Sequence, residues 1–201
     1  MKSILRRHTR EVERMNRFER RLAVTRRLRK MFPDYTGHIS LLNTSLLIMK
    51  EFDYELDYKR LDFTDEETRK LYRIGRGEQG VLLVRPYTNL ICAHWRFVNE
   101  DIARKSANKI YSMFCDYKEQ QDFIGMDMAR KFLEMGFTRS RRYANHPSGK
   151  KYARDGSVSP QSPTALHCEK SRSASVFKQM RDKAAYDEKY VTMRKIWRSQ
   201  E

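Results

Sequence analysis

Cysteine is scarce in this sequence, and a long apolar run is missing. The three cysteines, Cys92, Cys115 and Cys168, are widely spaced and form no C-x-x-C pair. This is typical of reduced thiols in the cytosol and argues against a disulfide framework. The uncharged and mostly apolar run over residues 39–49 is shorter than the stretch of about 18 apolar residues that spans a bilayer. The N terminus lacks the apolar core of a secretory signal, so we expect a soluble cytoplasmic protein. No cofactor is predicted.

Acidic residues are few relative to basic ones. The 201 residues include 42 Lys and Arg against 26 Asp and Glu, a net charge of +16. Such an excess favours a polyanionic partner: DNA, RNA or an acidic protein. Eleven Tyr and ten Phe supply enough apolar area for one modest core. The sequence has no decisive catalytic signature, so whether the protein is an enzyme stays open.

The charge changes sign along the chain and predicts where a compact domain begins. Residues 1–30 carry a charge of +9, whereas residues 49–70 carry eight acids and five bases, a charge of −3. Residues 144–173 are rich in Pro, Ser and Gly, which is typical of a linker or long loop. The predicted organisation is a basic helical N-terminal extension over 1–48, a compact domain over 49–154, a flexible linker over 155–173 and a C-terminal helix over 174–201.

Two apolar patterns in the compact domain predict a small antiparallel β meander. Aromatic or apolar residues alternate with acids over 52–58, which is the period of a half-buried strand. Two further apolar runs, 81–87 and 90–98, are separated by Thr88 and Asn89 and predict a hairpin. We therefore expect a sheet at the start of the domain.

Helices are predicted to follow this sheet. A capping box from Thr64 to Glu67 predicts one short helix. Asn99 is a suitable N-cap for a helix of about five turns, because acids follow it and an apolar stripe continues at helical spacing. Another amphipathic helix begins near Phe123 and is expected to end at Gly136. The predicted fold class is α+β, with the meander packed on two or three helices.

Three glycines, Gly75, Gly77 and Gly80, match the pattern G-x-G-x-x-G. A dinucleotide-binding loop needs a helix after the third glycine, whereas an apolar run typical of a strand follows here. The preferred interpretation is a hairpin turn with glycines at positive φ. The alternative is a loop that cradles phosphate, helped by Arg73 and Arg76.

The most basic part of the domain follows Gly136. Residues 128–154 carry eight Lys and Arg and one Glu, a local charge of +7. Arginine suits bidentate phosphate contacts, and tyrosine can stack on bases. The predicted nucleic-acid contacts are Arg139, Arg141, Arg142, Tyr143, Lys150 and Lys151. The alternative is that these side chains pair with the protein's own acids, such as those at 53–57.

The histidines offer weaker candidates. His146 lies next to Asn145 and is a candidate general base, but the sequence sets no carboxylate or second histidine near it. His94 and Cys92 share one face of the predicted last strand, yet no second pair stands at the spacing of a metal site. We therefore predict no metal site.

Several stretches together resemble a known family. These are FDYELDY, LYRIGRGEQGVLLV, HWRF, DFIGMDMARKFLEMGFTRSRRYANH and GKKY. They are similar to an uncharacterised "domain of unknown function" family of small soluble proteins from bacteria, fungi and tailed phages. The resemblance covers Phe52 to Tyr152. It implies one compact domain, in the host cytoplasm if the protein is encoded by a phage, and it implies no activity, catalytic residue or cofactor.

The leading functional hypothesis is a non-enzymatic accessory protein that binds nucleic acid. One alternative is an enzyme on a phosphate-containing substrate, with the glycine loop holding phosphate and His146 or His94 transferring a proton. The other is a module whose basic face binds an acidic protein. Steep salt dependence of binding would favour the first hypothesis over the others.

Overall fold

Helices make up most of the backbone that the structure describes. The computed structural model describes residues 52–201, so the predicted extension over 1–48 lies outside the described residues. The helices of the described part are α1 (Glu66–Arg69), α2 (Tyr87–Cys92), α3 (Glu100–Glu119), α4 (Phe123–Asn145), α5 (Glu169–Ala185) and α6 (Glu188–Gln200). None of them is long and apolar enough to cross a membrane. The described residues, 52–201, all belong to a single structural unit.

The predicted α+β fold with a β meander is wrong. Residues 52–201 contain no strand; their β-type pairing is an isolated bridge between Tyr152 and Val158. Residues 52–58 instead form turns in which Phe52 and Tyr58 are buried and stack with 5.2 Å between their ring centroids. Phe52 and Tyr58 therefore turn inward from irregular backbone and need no partner strand, whereas Tyr54 of the same alternating pattern is 58% exposed.

The predicted hairpin over 81–98 is also wrong, because α2 occupies its turn. The buried residues of this stretch are Val81, Val84, Tyr87, Thr88 and Ile91. They are spaced by three or four positions, which is the period of helical turns and not of a strand. The Thr88 hydroxyl donates to the carbonyls of Val81 and Val84, both at 2.9 Å, and closes the turn that leads into α2. Short apolar runs of this kind are ambiguous in sequence.

The start of α3 confirms the predicted N-cap. The Asn99 side chain accepts a hydrogen bond from the backbone N–H of Ile102 at 2.9 Å. The short helix α1 is capped one residue later than expected: Asp65, not Thr64, accepts from the Thr68 N–H at 2.9 Å. Both caps satisfy an N–H that has no partner within its own helix.

The cap of α3 leads to a stability prediction. Replacing Asn99 with Ala should lower the free energy of unfolding by about 1 kcal/mol, because the Ile102 N–H loses its acceptor. Urea unfolding of the purified variant measures this. Asn108→Ala is the matched control, since Asn108 lies exposed within α3, where Ala should leave stability unchanged or raise it by a few tenths of a kcal/mol. Equal effects of the two changes would contradict the capping role.

Helix α4 runs through the position where it was predicted to stop. It continues for nine residues beyond Gly136, as far as Asn145. Gly136 is buried inside the helix, and a Cβ atom there would lie 2.3 Å from the ring of Phe177 on α5. The glycine therefore permits two helices to approach closely and does not end one of them. Helix α4 packs against α2, α3, α5 and α6, and it forms the centre of the unit.

The C-terminal segment is bound to the rest of the domain. The single helix predicted over 174–201 is two helices, and the predicted linker over 155–173 already contains the start of α5 at Glu169. Asp187 caps α6 by accepting from the Tyr190 N–H at 3.1 Å and pairs with Lys118 of α3 at 2.8 Å. At the end of α6, Arg198 donates to the Ile74 carbonyl at 2.6 Å, and Glu201 accepts from the Ile74 N–H at 2.6 Å.

Candidate functional site

The basic segment, residues 139–154, comprises the last turns of α4 and the loop that follows. It carries six Lys and Arg and no Asp or Glu. Its exposed cationic and aromatic residues are Arg142, Tyr143, Lys150, Lys151, Tyr152 and Arg154. Among the ion pairs of residues 52–201, none involves a cation of this segment. The positive charge of this surface is therefore not neutralised by carboxylates of the described domain.

Arg141 points into the protein. One of its terminal nitrogens donates to the Ala165 carbonyl at 3.0 Å and to the Ser171 hydroxyl at 3.1 Å, and the other donates to the Asn145 side-chain oxygen at 2.8 Å. These contacts join the end of α4 to the long loop and to α5. Arg141 thus uses its donors on neutral groups within the domain, which sets it apart from the exposed cations around it.

Tyr143 supports the turn after α4. Its ring centroid lies 5.9 Å from that of Phe97, and a Cβ atom on Gly149 would lie 2.8 Å from the Tyr143 ring. Gly149 also has a φ of +74°, a conformation that favours glycine. The ring therefore packs on the turn that precedes Lys150, and 39% of Tyr143 is exposed.

The loop after this turn forms a small closed tip. The Ser159 N–H donates to the Lys151 carbonyl at 2.9 Å, and the Ala153 N–H donates to the Ser157 carbonyl at 2.9 Å. Tyr152 is 58% exposed, and the Lys151 ammonium lies 5.3 Å from its ring centroid. The tip thus presents cations and one aromatic ring to solvent on a backbone held by its own hydrogen bonds.

The predicted phosphate loop is a turn structure without flanking strands. Gly77 and Gly80 have positive φ, +60° and +78°, as the sequence analysis expected. Gly80 lies against Phe52, whose ring a Cβ atom would overlap at 2.2 Å. The Thr138 hydroxyl of α4 donates to the Glu78 carboxylate at 2.7 Å and anchors the loop.

The two arginines of that loop lie in different surroundings. Arg73 is directed to backbone: its guanidinium donates to the Lys70 carbonyl at 2.9 Å and to the Tyr72 carbonyl at 3.3 Å. Arg76 is exposed and lines a cleft of about 330 Å³ together with Gly80 and Arg139. Arg139 is thus the member of the basic segment that the fold brings beside the glycine loop.

A second cleft lies on another side of the same loop. Its volume is about 350 Å³, and its lining includes Gly75 and Gly77 of the loop and three cations, Arg130, Arg194 and Lys195. Arg130 lies on α4, and the other two lie on α6. These three cations were not among the predicted site residues, because the segments that hold them are far apart in the chain.

Beneath this second cleft is a buried charged cluster centred on Asp127 of α4. The carboxylate accepts from the hydroxyls of Tyr72 at 2.5 Å and Tyr190 at 2.6 Å. It also pairs with Arg130 at 3.1 Å and with the fully buried Lys131 at 3.2 Å. This cluster was not among the predicted sites. The feature that could have indicated it is the pair Asp127 and Lys131, which lie four residues apart on a helix face that is otherwise apolar.

The pKa values of the cluster follow from burial and from the two cations. Burial by itself raises the pKa of Asp127, but the charges of Lys131 and Arg130 outweigh it and hold that pKa well below its usual range. For Tyr72 and Tyr190, burial and the neighbouring carboxylate both raise the pKa, so the hydroxyls stay protonated and donate. Burial lowers the pKa of the Lys131 ammonium, and Asp127 opposes that change.

The histidine candidates are not brought together. His146 is buried at the end of α4, and its Nδ1 has no hydrogen-bond partner within the described domain. His94 is exposed after α2. In the part of the chain that the structure describes, no three His, Cys, Asp or Glu side chains form a group that could hold a metal ion.

Comparison with known families identifies the domain. The family described as Domain of unknown function (DUF4385) matches residues 53–200. The chain belongs to the DUF4385 family. No curated protein and no solved structure matches it.

The DUF4385 match extends further along the chain than the resemblance found in the sequence, which ended at Tyr152. It includes α5 and α6. This agrees with the contacts that these helices make: α5 packs on α3 and α4, and Tyr190 of α6 completes the Asp127 cluster. The buried cluster and both clefts therefore lie within the DUF4385 domain.

Proposed function

We propose that this DUF4385 protein binds nucleic acid through the exposed part of the basic segment. The observation that carries the proposal is the lack of any carboxylate partner, within residues 52–201, for the six cations of 139–154. Cations left exposed and unneutralised are the feature that attracts a phosphate backbone. The cations proposed to contact phosphate are Arg142, Lys150, Lys151 and Arg154, and the neighbouring Tyr152 is proposed to stack on a base.

The remaining predicted contacts are proposed to have other roles. Arg141 and Tyr143 position the segment, because their side chains join the end of α4 to the loops that follow it. Arg139 lies in the cleft with Arg76 and extends the positive surface toward the glycine loop. The protein is proposed to act as an accessory factor in the cytoplasm, since Cys92, Cys115 and Cys168 are all free thiols.

Salt dependence is the direct test. Four phosphate contacts predict a slope of roughly −4 for the logarithm of the binding constant against the logarithm of salt concentration on duplex DNA. Any contact made by the basic residues of 1–48 adds to this slope equally in all variants. Differences between variants are therefore the quantity to measure.

Lys150→Gln/Lys151→Gln should reduce the magnitude of that slope by about 2 and weaken binding at low salt at least tenfold. Fluorescence anisotropy with labelled single-stranded DNA, duplex DNA and RNA of equal length measures both quantities. The matched control is Lys105→Gln/Lys109→Gln, which removes two exposed lysines from α3. If the control variant loses as much as the test variant, or if neither changes the slope, the basic segment does not carry the binding.

A further inference from the structure

The cleft beside Gly75 and Gly77 has an unusual charge balance. Three cations line it, Arg130, Arg194 and Lys195, and no Asp or Glu is among its lining residues. The fully buried Lys131 does not line the cleft and pairs with the buried Asp127 carboxylate at 3.2 Å. Because that buried pair has no net charge, the three lining cations leave the cleft with a surplus of three positive charges.

Arg130 is held rigidly at the base of this cleft. Its Nε donates to the Asp127 carboxylate at 3.1 Å and to the Tyr190 hydroxyl at 2.8 Å, and one terminal nitrogen donates to the Gly77 carbonyl at 3.2 Å. The other terminal nitrogen, Nη1, donates to no group within residues 52–201. A guanidinium held by three hydrogen bonds in this way is preorganised to bind an anion, because little side-chain conformational freedom remains to be lost on binding.

The remaining walls come from α6 and the loop. Arg194 and Lys195 follow Tyr190 by four and five residues, so α6 presents its cations one turn beyond the hydroxyl that contacts Arg130. Among the ion pairs of the described residues, none involves Arg194 or Lys195. Gly77 contributes no side chain, and a Cβ atom there would meet nothing within 4 Å.

We infer that this cleft binds a small phosphate-bearing ligand at a site distinct from the basic segment. A phosphate dianion offsets two of the three surplus charges, whereas a carboxylate offsets only one. Arginine also matches the geometry of phosphate oxygens through paired N–H donors. The volume of about 350 Å³ lies at the low end of small-molecule sites. It suits one phosphoryl group with a small organic substituent better than a run of nucleotides.

Inorganic phosphate is the probe that tests this site. Titration calorimetry with the full chain, at constant ionic strength, should show saturable phosphate binding that acetate does not reproduce. Arg194→Gln/Lys195→Gln should weaken phosphate binding at least tenfold. Lys105→Gln/Lys109→Gln, which removes the same charge from α3, should leave it unchanged. Lys150→Gln/Lys151→Gln should also leave it unchanged, which separates this site from the proposed nucleic-acid surface.

A second pair of variants tests the cleft without removing a cation. Gly77→Asp places a carboxylate at the lining of the cleft, and Gly77→Asn adds a side chain of the same shape without charge. Both residue types tolerate the positive φ of this position. Gly77→Asp should abolish measurable phosphate binding, whereas Gly77→Asn should retain it within about threefold of the unmodified chain, since only the charge differs.

Several outcomes would overturn the inference. Binding of phosphate no tighter than of acetate would do so, as would equal losses in the α6 and α3 variants or in Gly77→Asp and Gly77→Asn. Loss of phosphate binding in Lys150→Gln/Lys151→Gln would assign the effect to the basic segment. The nucleic-acid salt slope of Arg194→Gln/Lys195→Gln should stay within about one of the unmodified chain, so each proposal can fail while the other stands.

Discussion

Asp127→Asn should lower the free energy of unfolding by about 3–5 kcal/mol, which is the typical cost of removing one partner from a buried ion pair. The carboxylate is fully buried and is the carboxylate partner of both Arg130 and Lys131. Without that negative charge, the buried Lys131 ammonium has no carboxylate partner within residues 52–201, and the neutral Tyr72 hydroxyl, at 3.0 Å, does not compensate its charge. Urea unfolding at neutral pH measures the change.

Controls separate the charge effect from a general loss of packing. Asp116→Asn, at an exposed position of α3, should change stability by less than about 0.5 kcal/mol. Asp127→Asn/Lys131→Met should recover part of the loss, because the uncompensated cation is replaced by an apolar side chain of similar length. A loss below about 1 kcal/mol in Asp127→Asn, or no recovery in the double variant, would contradict the proposed role of the ion pair.

The same carboxylate predicts a pH dependence. Its pKa in the folded protein is lowered, so the stability it contributes is complete above the unfolded pKa of about 4 and is lost as the pH falls toward the folded value. The difference in unfolding free energy between the unmodified chain and Asp127→Asn should therefore be constant from pH 5 to pH 7 and shrink below about pH 4. If this difference in unfolding free energy grows as the pH falls below about 4, the predicted effect of the Asp127 carboxylate is contradicted.

Phe177→Ala should also cost about 3–5 kcal/mol, since the ring is fully buried between α4 and α5. Its contact with Gly136 makes a sharper prediction possible. In the unmodified chain, Gly136→Ala should be destabilising by about 1–3 kcal/mol, because a Cβ atom would lie 2.3 Å from the Phe177 ring. In the Phe177→Ala background, the same change should be stabilising by up to about 1 kcal/mol, because alanine is the better helix former.

Denaturant unfolding of the four chains of this double-mutant cycle measures the coupling between the two positions. The expected sign reversal of Gly136→Ala distinguishes a glycine needed for helix contact from one that weakens the helix. Should Gly136→Ala stabilise the protein whether or not Phe177 is present, the contact between α4 and α5 is looser than described.

The helices that begin with strong local signals were predictable. Asn99 caps α3 as expected, and α4 begins near Phe123, where Asp122 accepts from the Gly125 N–H at 3.2 Å. These starts depend on contacts between residues three positions apart, which a sequence displays directly. The predicted helix end at Gly136 is wrong because glycine occurs both at helix ends and at points of close approach between helices. Only the position of Phe177 distinguishes the two cases.

The false β meander has a related cause. Alternation over 52–58 and apolar runs over 81–98 are compatible with strands, but a strand needs a partner whose backbone completes its hydrogen bonds. In the described domain the backbone of the second stretch is bonded locally instead: the Leu83 N–H donates to the Gly80 carbonyl and the Thr88 N–H donates to the Val84 carbonyl, both at 2.9 Å. These bonds belong to turns and to a short helix, and the apolar pattern alone does not distinguish them from the ladder of a strand.

The amino-acid sequence by itself determined the excess of positive charge, the acid-free run of cations over 139–154 and the starts of the two longest helices, because these are sums and short-range contacts along the chain. Only the tertiary structure decided which cations remain exposed. It turns Arg141 inward to Ala165 and Ser171, and it brings Arg130 and Arg194 to one cleft. The physical reason is that burial of the apolar faces of α4, α5 and α6 sets where distant side chains meet, and polar groups then take the partners that packing places within reach.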